Sequence, residues 1–329
     1  MNNSAFHFAG LTPDLILSAI ESLAVYPETG LTALNSYENR VYQFRCDRGN
    51  RYVVKFYRPE RWSREQLLEE HQFALELQQQ EFPIAAPVCI DGATLHEYQG
   101  YLFTLFPSIG GRTFEVDNLE QLFEVGQFIG RMHQYARNSR FQHRRSLNPT
   151  TFGSDSIAVL QQTNIIPAAW HDKLLCCATE LQRAIATRWQ QLTPSNMRLH
   201  GDLHIGNILW TPAGPGFVDL DDACNGPAIQ DLWMMLSGSR EQQQAQLAEL
   251  VEGYQEFCDF HPAELKLVEL LRGLRMLHYN AWLCRRWDDP AFPRHFPWVA
   301  ENQYWQQQCQ SFTEQLAMLE QPPLSLIPY

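Results

Sequence analysis

The chain is poor in positive charge. It sets 25 Lys and Arg against 37 Asp and Glu, a formal net charge of −12 over 329 residues. Neutralising phosphates needs a basic surface, so a general nucleic-acid binder is excluded, though a local basic pocket is not. No run of about 18 apolar residues occurs, so no helix is expected to span a membrane. The opening residues, Met1 to His7, have neither a basic nor an apolar stretch, and no secretory signal is expected. The eight cysteines, at 46, 89, 176, 177, 224, 258, 284 and 309, include no CxxC pair and no zinc-like Cys/His spacing. Free, inert core thiols in a reducing cytoplasm are the expectation, the adjacent Cys176 and Cys177 included. Internal repeats and low-complexity linkers are absent too. A cytoplasmic monomer is expected.

What is present is material for a core. Hydrophobic residues make up 45% of the chain, with nine Trp, twelve Tyr and nineteen Phe, which excludes a mainly disordered protein. At about 150 residues per domain, the length suggests two domains or lobes. The pattern changes character once. Residues 1–106 mix short strands with two helices; residues 107–329 are mostly helical, with a strand-rich island near 208–220. An α+β fold with a small sheet lobe followed by a helical lobe is therefore expected. Thr12 and Pro13 signal the first helix, and Ser63 caps a second over about 64–80. Strands are expected within 34–44, 51–57 and 100–106. Helices are expected near 118–135, 171–190, 243–257 and 263–284. The segment Thr211 to Gly216 reads as a six-residue hairpin loop between two short apolar runs.

The chemistry concentrates in His200-Gly201-Asp202-Leu203-His204-Ile205-Gly206-Asn207, followed by Asp219 after Phe217-Val218. Taken singly, each piece has a plainer reading: a turn Asp, a loop-tying Asn, a solvated acidic turn at Asp219 to Asp222. Together they match the needs of phosphoryl transfer. One carboxylate orients the attacking hydroxyl, and an amide oxygen with a second carboxylate holds Mg²⁺ on the nucleotide phosphates. A cation on a rigid element is needed as well. Lys55 lies in a strand that puts it on the face of Val53 and Tyr57; the plainer reading is a charge guarding a sheet edge. Glu69 and Glu70 on the following helix are candidate partners for it. Glu70 is preferred because Ala74 and Leu77 share its side. His204 reads as a structural hydrogen-bonder. Arg285-Arg286-Trp287 reads equally as a site for an acidic substrate segment and as a complement to the helix C-terminus.

The H-G-D-x-H-x-x-N motif with its following Asp resembles the aminoglycoside phosphotransferase and choline kinase branch of the protein-kinase-like fold. Longer stretches resemble the bacterial stress response kinase A (SrkA/RdoA) family of serine/threonine kinases. They are Leu34 to Phe44, Val53 to Trp62, Phe217 to Ala223, Asn225 to Trp233 and Arg285 to Pro293. The resemblance covers nearly the whole chain. It implies a two-lobed kinase fold, ATP as co-substrate, Mg²⁺, Ser/Thr hydroxyls of proteins as acceptors, and a part in stress responses. It also implies that Asp202 and Asp219 are the catalytic carboxylates, Asp202 as base. Asn207 and Asp219 then hold the metal, Lys55 meets the phosphates with Glu70 or Glu69 beside it, and Ser36 sits in the turn over the phosphates. Residues 106–108 form the adenine hinge, and Asp231 braces the catalytic loop.

Departures from the protein-kinase pattern narrow this. The phosphate turn has no G-x-G-x-x-G, His-Gly-Asp replaces His-Arg-Asp, Asp219-Leu220-Asp221 replaces Asp-Phe-Gly, and no Ala-Pro-Glu follows. Control by activation-loop phosphorylation is not expected. Asp221 and Asp222 stay open as sharers of the metal. Two other readings remain: a small-molecule kinase for an amino alcohol, aminoglycoside or homoserine-like substrate, and a nucleotide-binding pseudokinase.

Overall fold

A computed structural model of the chain describes residues 8–326, so Met1 to His7, on which the expectation about a secretory signal rests, lie outside it. In chain order the elements begin α1 (Pro13–Glu21), β1 (Thr32–Ala33), β2 (Arg40–Arg45), β3 (Arg51–Phe56), α2 (Arg64–Gln79), β4 (His96–Tyr98), β5 (Tyr101–Pro107) and β6 (Arg112–Thr113). Then come α3 (Leu119–Ala136), α4 (Asp155–Gln162), α5 (Ala168–Trp189), β7 (Met197–Leu199), β8 (Ile208–Thr211), β9 (Gly214–Phe217) and β10 (Cys224–Gly226). The chain closes with α6 (Gln230–Trp233), α7 (Arg240–Gln255), α8 (Val268–Arg286), α9 (Ala291–His295) and α10 (Asn302–Met318). Two compact units result: 1–114 with 206–221, and 115–205 with 222–329. The first thus takes in 107–114 and the strand-rich island. No helix among the described residues is long and apolar enough to cross a membrane.

The first unit is an antiparallel sheet in the order β1-β2-β3-β5-β4, with α1 packed on it. Thr12 caps α1 by accepting from the Leu15 amide, and Ile16, Ala19 and Ile20 on its buried face meet Phe44, Val54, Phe56, Phe103 and Leu105. Each of these side chains except Ala19 contributes about 1.5–3 kcal/mol by leaving water. Because β3 lies between β2 and β5, Lys55 is on an interior strand, and the edge-guard reading fails. Helix α2 begins with a capping box: Ser63 accepts from the Gln66 amide and Gln66 accepts from the Ser63 amide.

A second small sheet, β6-β8-β9, corrects the hairpin expectation. Thr211 pairs with Gly214 and Trp210 with Pro215, so the loop is only Pro212 and Ala213. The Thr211 hydroxyl accepts from the Ala213 amide and donates to the Gly214 carbonyl, closing the tight turn. Pro215 is tolerated because β9 is an edge strand of this sheet.

The second unit is helical apart from the β7–β10 ribbon. Helices α3 and α7 approach closely because glycines face one another: a Cβ on Gly126 would lie 2.1 Å from the Leu250 carbonyl oxygen, and one on Gly253 2.0 Å from that of Phe123. The four helices expected from periodicity are present with shifted ends, the last preceded by a 3₁₀ stretch, Pro262–Leu267. The thiols are not uniformly core. Cys46, Cys224, Cys258 and Cys309 are buried, but Cys89 and Cys176 are exposed and Cys177 and Cys284 half-buried. Adjacent helical residues point about 100° apart, so α5 cannot bury both Cys176 and Cys177 on one face.

Candidate active site

In the first unit, residues of β3, α2, β5 and the β8–β9 hairpin enclose a cavity of about 390 Å³. Ser36, Lys55, Glu70, Asn207 and Asp219 all line it, as do Phe106, Pro107 and Ser108. Lys55 is the centre of its polar end. Only 5% exposed, its ammonium lies 2.8 Å from Asp219 and 3.0 Å from Asp221. Burial works against its charge, but Asp219, Asp221 and Glu70 outweigh that and hold its pKa well above the ordinary lysine value. An unpaired buried ammonium would cost several kcal/mol, so these carboxylates are what keep it charged in the interior. Of the two candidate glutamates, Glu70 is the buried one, at 2% exposure, and Glu69 sits farther toward the surface.

The acidic turn is not uniformly solvated. Asp219 adopts φ +65°, a left-handed conformation that costs a non-glycine residue, and its side chain is half exposed. Asp221 is buried and committed: Arg61 and Asn39 Nδ2 both reach its Oδ2, the amide at 3.1 Å. Asn39 in turn accepts from the Arg58 amide at 3.0 Å, and Arg58 Nε lies 2.9 Å from the Glu38 carboxylate. The turn carrying Ser36 is thereby tied to Asp221, and the Ser36 hydroxyl accepts from the Asn39 amide at 3.4 Å. Glu38, Asn39, Arg58 and Arg61 lie in the stretches that carry the family resemblance, but the sequence assigned none of them a partner.

The donor set fits a hard divalent cation. Asp219 offers carboxylate oxygens and Asn207 an amide oxygen, and both line the cavity. Among the described residues no group of three or more His, Cys, Asp or Glu could hold a metal alone. Two protein oxygens with phosphate and water completing the shell is the expected pattern for a nucleotide-bound Mg²⁺.

The second unit carries Asp202, on the loop leaving β7. Gly201, at φ +85°, leaves no room for a side chain, since its Cβ would stand 2.3 Å from the Asp222 carbonyl oxygen. Asp231 accepts from the His200 and Gly201 amides, each at 2.8 Å, and meets His133 Nε2 at 3.1 Å. Burial pushes the Asp231 carboxyl up, but His133, His200 and the Gly201 amide carry it below the ordinary value. Asp202 Oδ1 receives Arg275 Nη1 at 2.6 Å, and its other oxygen lies 3.6 Å from His204 Nε2. Burial raises its pKa above the ordinary aspartate value; nearby Asp222 adds to that, while Arg275 and His204 oppose it. Arg145 Nη2 binds Asp222 at 3.0 Å. Neither Arg145 nor Arg275 stood out in the sequence, because nothing local links Arg145 to Asp222 or Arg275 to Asp202.

A model of the phosphotransferase enzyme family matches residues 30–268. Stress response kinase A of Escherichia coli K12 is 49% identical over 328 residues, covering 100% of this chain and 99% of that protein. The chain belongs to the phosphotransferase enzyme family and, within it, to the stress response kinase A group. The serine/threonine protein kinase RdoA of Salmonella typhimurium LT2 is 48% identical over the same span. Among solved structures, amicoumacin kinase hAmiN in complex with AMP-PNP, Ca²⁺ and Ami is similar with a TM-score of 0.74 at 19% identity, covering 95% of this chain and 94% of that one. The microcompartment-associated aminopropanol kinase has a TM-score of 0.71 at 17% identity, covering 95% and 100%. The chain thus has the α+β protein-kinase-like fold, with a small antiparallel-sheet lobe and a mostly helical lobe, and is an ATP-dependent phosphotransferase.

Proposed function

We propose that this phosphotransferase is a Mg²⁺-dependent serine/threonine protein kinase acting in a bacterial stress response, as a cytoplasmic monomer. The observation that carries the reading is the near-half identity, over the full length, to relatives named stress response kinase A and serine/threonine protein kinase RdoA. Residues 1–106 then supply nucleotide binding and 107–329 the catalytic loop and metal ligands. Lys55 meets the phosphates, aimed by Glu70, and exchanges its pairing with Asp219 for them. Ser36 lies in the turn over the phosphates, and 106–108 meets the adenine through backbone groups. Asn207 and Asp219 are the metal ligands. A metal held there would supply charge screening for the transferred phosphoryl group. Asp221, already held by Arg61 and Asn39, is a brace, and Asp222 is engaged by Arg145. Asp202 is the base that orients the acceptor hydroxyl; burial, by raising its pKa, makes it a better proton acceptor.

Labelled ATP, offered in parallel with protein substrates and with a panel of small alcohols, tests this. Phosphate is expected on Ser/Thr of protein. Label on the amino alcohols alone supports the small-molecule kinase instead, and nucleotide binding without transfer to any acceptor supports the pseudokinase.

A further inference from the structure

Helix α8 presents a basic stripe beside Asp202. Arg275, His278 and Arg285 follow one another at helical spacing, and Arg145 approaches the same helix, its Nη1 3.4 Å from His278 Nε2. A small cavity of about 40 Å³ is lined by Asp202, Asp222, Arg145, Arg275 and His278. Arg275 uses Nη1 for Asp202 and for a 3.7 Å contact to the Met234 sulfur. Among the described residues its Nε and Nη2 have no hydrogen-bond partner, and its side chain is 46% exposed. Arg145 lies over the Phe152 ring at 4.3 Å, which fixes its guanidinium plane while Nη2 holds Asp222.

Arg285 is the unbalanced member. Its Nη2 donates a weak hydrogen bond to the Asp155 carbonyl at 3.4 Å, and no carboxylate among the described residues forms an ion pair with it. Burial, then the like charges of Arg145 and Arg286, pull its pKa below the ordinary arginine value, with Asp155 opposing in part. An anion arriving there relieves that crowding. Arg275 and Arg145 are each paired with an aspartate, so the ion-unpaired cation of the stripe is Arg285, in a chain of net charge −12. Such a local reversal is what an acidic partner recognises.

We propose that the acceptor is a Ser/Thr polypeptide segment bearing acidic side chains, one beside the phosphorylated hydroxyl read by Arg275 and Arg145, another farther along read by Arg285. This rests on the protein-kinase reading above and adds the substrate class. Ten residues of α8 separate Arg275 from Arg285, about 15 Å at 1.5 Å per residue. An extended peptide covers that in roughly four or five residues. The side chain nearest the hydroxyl draws on the donors of Arg275 that Asp202 does not use.

Three matched serine peptides test this with ATP and Mg²⁺. They carry Glu, Gln or Lys beside the serine and again five residues away. The Glu peptide should exceed the Gln peptide by about tenfold in kcat/KM, mainly through KM, with the advantage shrinking as salt rises. Arg285→Glu should lose that advantage for the distal Glu and gain it for a peptide with distal Lys. The reciprocal gain separates lost recognition from lost folding. Equal or better use of the Gln or Lys peptide overturns the proposal while leaving a protein kinase. Label on small amino alcohols and on none of the peptides overturns both.

Discussion

Lys55 in the first unit and Asp231 in the second are both almost fully buried charges, held in opposite ways. Asp231 spends its oxygens on fixed donors, the His200 and Gly201 amides and His133, which in turn contacts the Tyr254 hydroxyl at 3.1 Å. Lys55 has carboxylates on one side and an open cavity on the other, and one of its partners, Asp219, is half exposed. Equal burial therefore serves different ends. A charge closed in by backbone amides shapes a loop permanently, whereas a charge facing a cavity can trade one anion for another. The first role belongs to stability, and the second is the one the proposed function gives Lys55.

Substitutions can break that contrast. The largest effect is expected at Asp202, the loop carboxylate that Asp231 positions. Asp202→Ala should lower phosphoryl transfer by roughly 10²- to 10⁴-fold while ATP still binds, as read by turnover beside nucleotide titration. Comparable turnover would remove it from the role of base. Next comes Asp231→Ala, which strands His133 and two loop amides and should cost about 3–5 kcal/mol in denaturant unfolding. That cost is also pH-dependent. The folded pKa of Asp231 is depressed below the ordinary 3.8, so its contribution is complete above that value and fades as pH falls through the folded value. The gap between wild type and Asp231→Asn should therefore be flat near neutrality and narrow in acid. A gap that widens in acid contradicts the assignment.

Lys55→Met should do the reverse of Asp231→Ala. Nucleotide affinity should fall on the order of ten- to a hundredfold, the size of a lost charged hydrogen bond, with a smaller stability change. Asp221 keeps Arg61 and Asn39 in that variant, and Asp219 keeps water. A stability loss equal to that of Asp231→Ala would erase the distinction. Asp221→Asn should cost an amount similar to that of Lys55→Met, about 1–3 kcal/mol, but in stability rather than affinity. It should appear as faster amide exchange across residues 36–39, with metal dependence retained. Asp219→Asn should weaken metal dependence instead.

Much of this site was legible because its residues sit in local patterns. The strand alternation around Lys55 and the helical spacing of Glu70, Ala74 and Leu77 each placed a side chain inward, and the structure buries both charged groups. The hairpin loop was misjudged because Pro and Gly signal a turn, yet Gly214 and Pro215 pair in register on an edge strand. Asn39, Arg61 and Arg275 were invisible for another reason: their partners lie 182, 160 and 73 residues away.

The change from a strand-and-helix segment to a mostly helical one, the capped starts of α1 and α2, the shortage of positive charge and the donor types available for phosphate and metal all follow from the sequence alone, whereas α4, α9 and α10 did not stand out in it. The legible features depend on neighbours within a few positions. Which acid pairs with which base was decided only when the chain folded. Asp219, Asp221 and Asp222 are near-identical in sequence, but one stays half hydrated, one is locked under Arg61, and one is taken by Arg145. Charge pairing acts through space, so residues 164 positions apart, such as Lys55 and Asp219, acquire their chemistry from the tertiary structure that joins them.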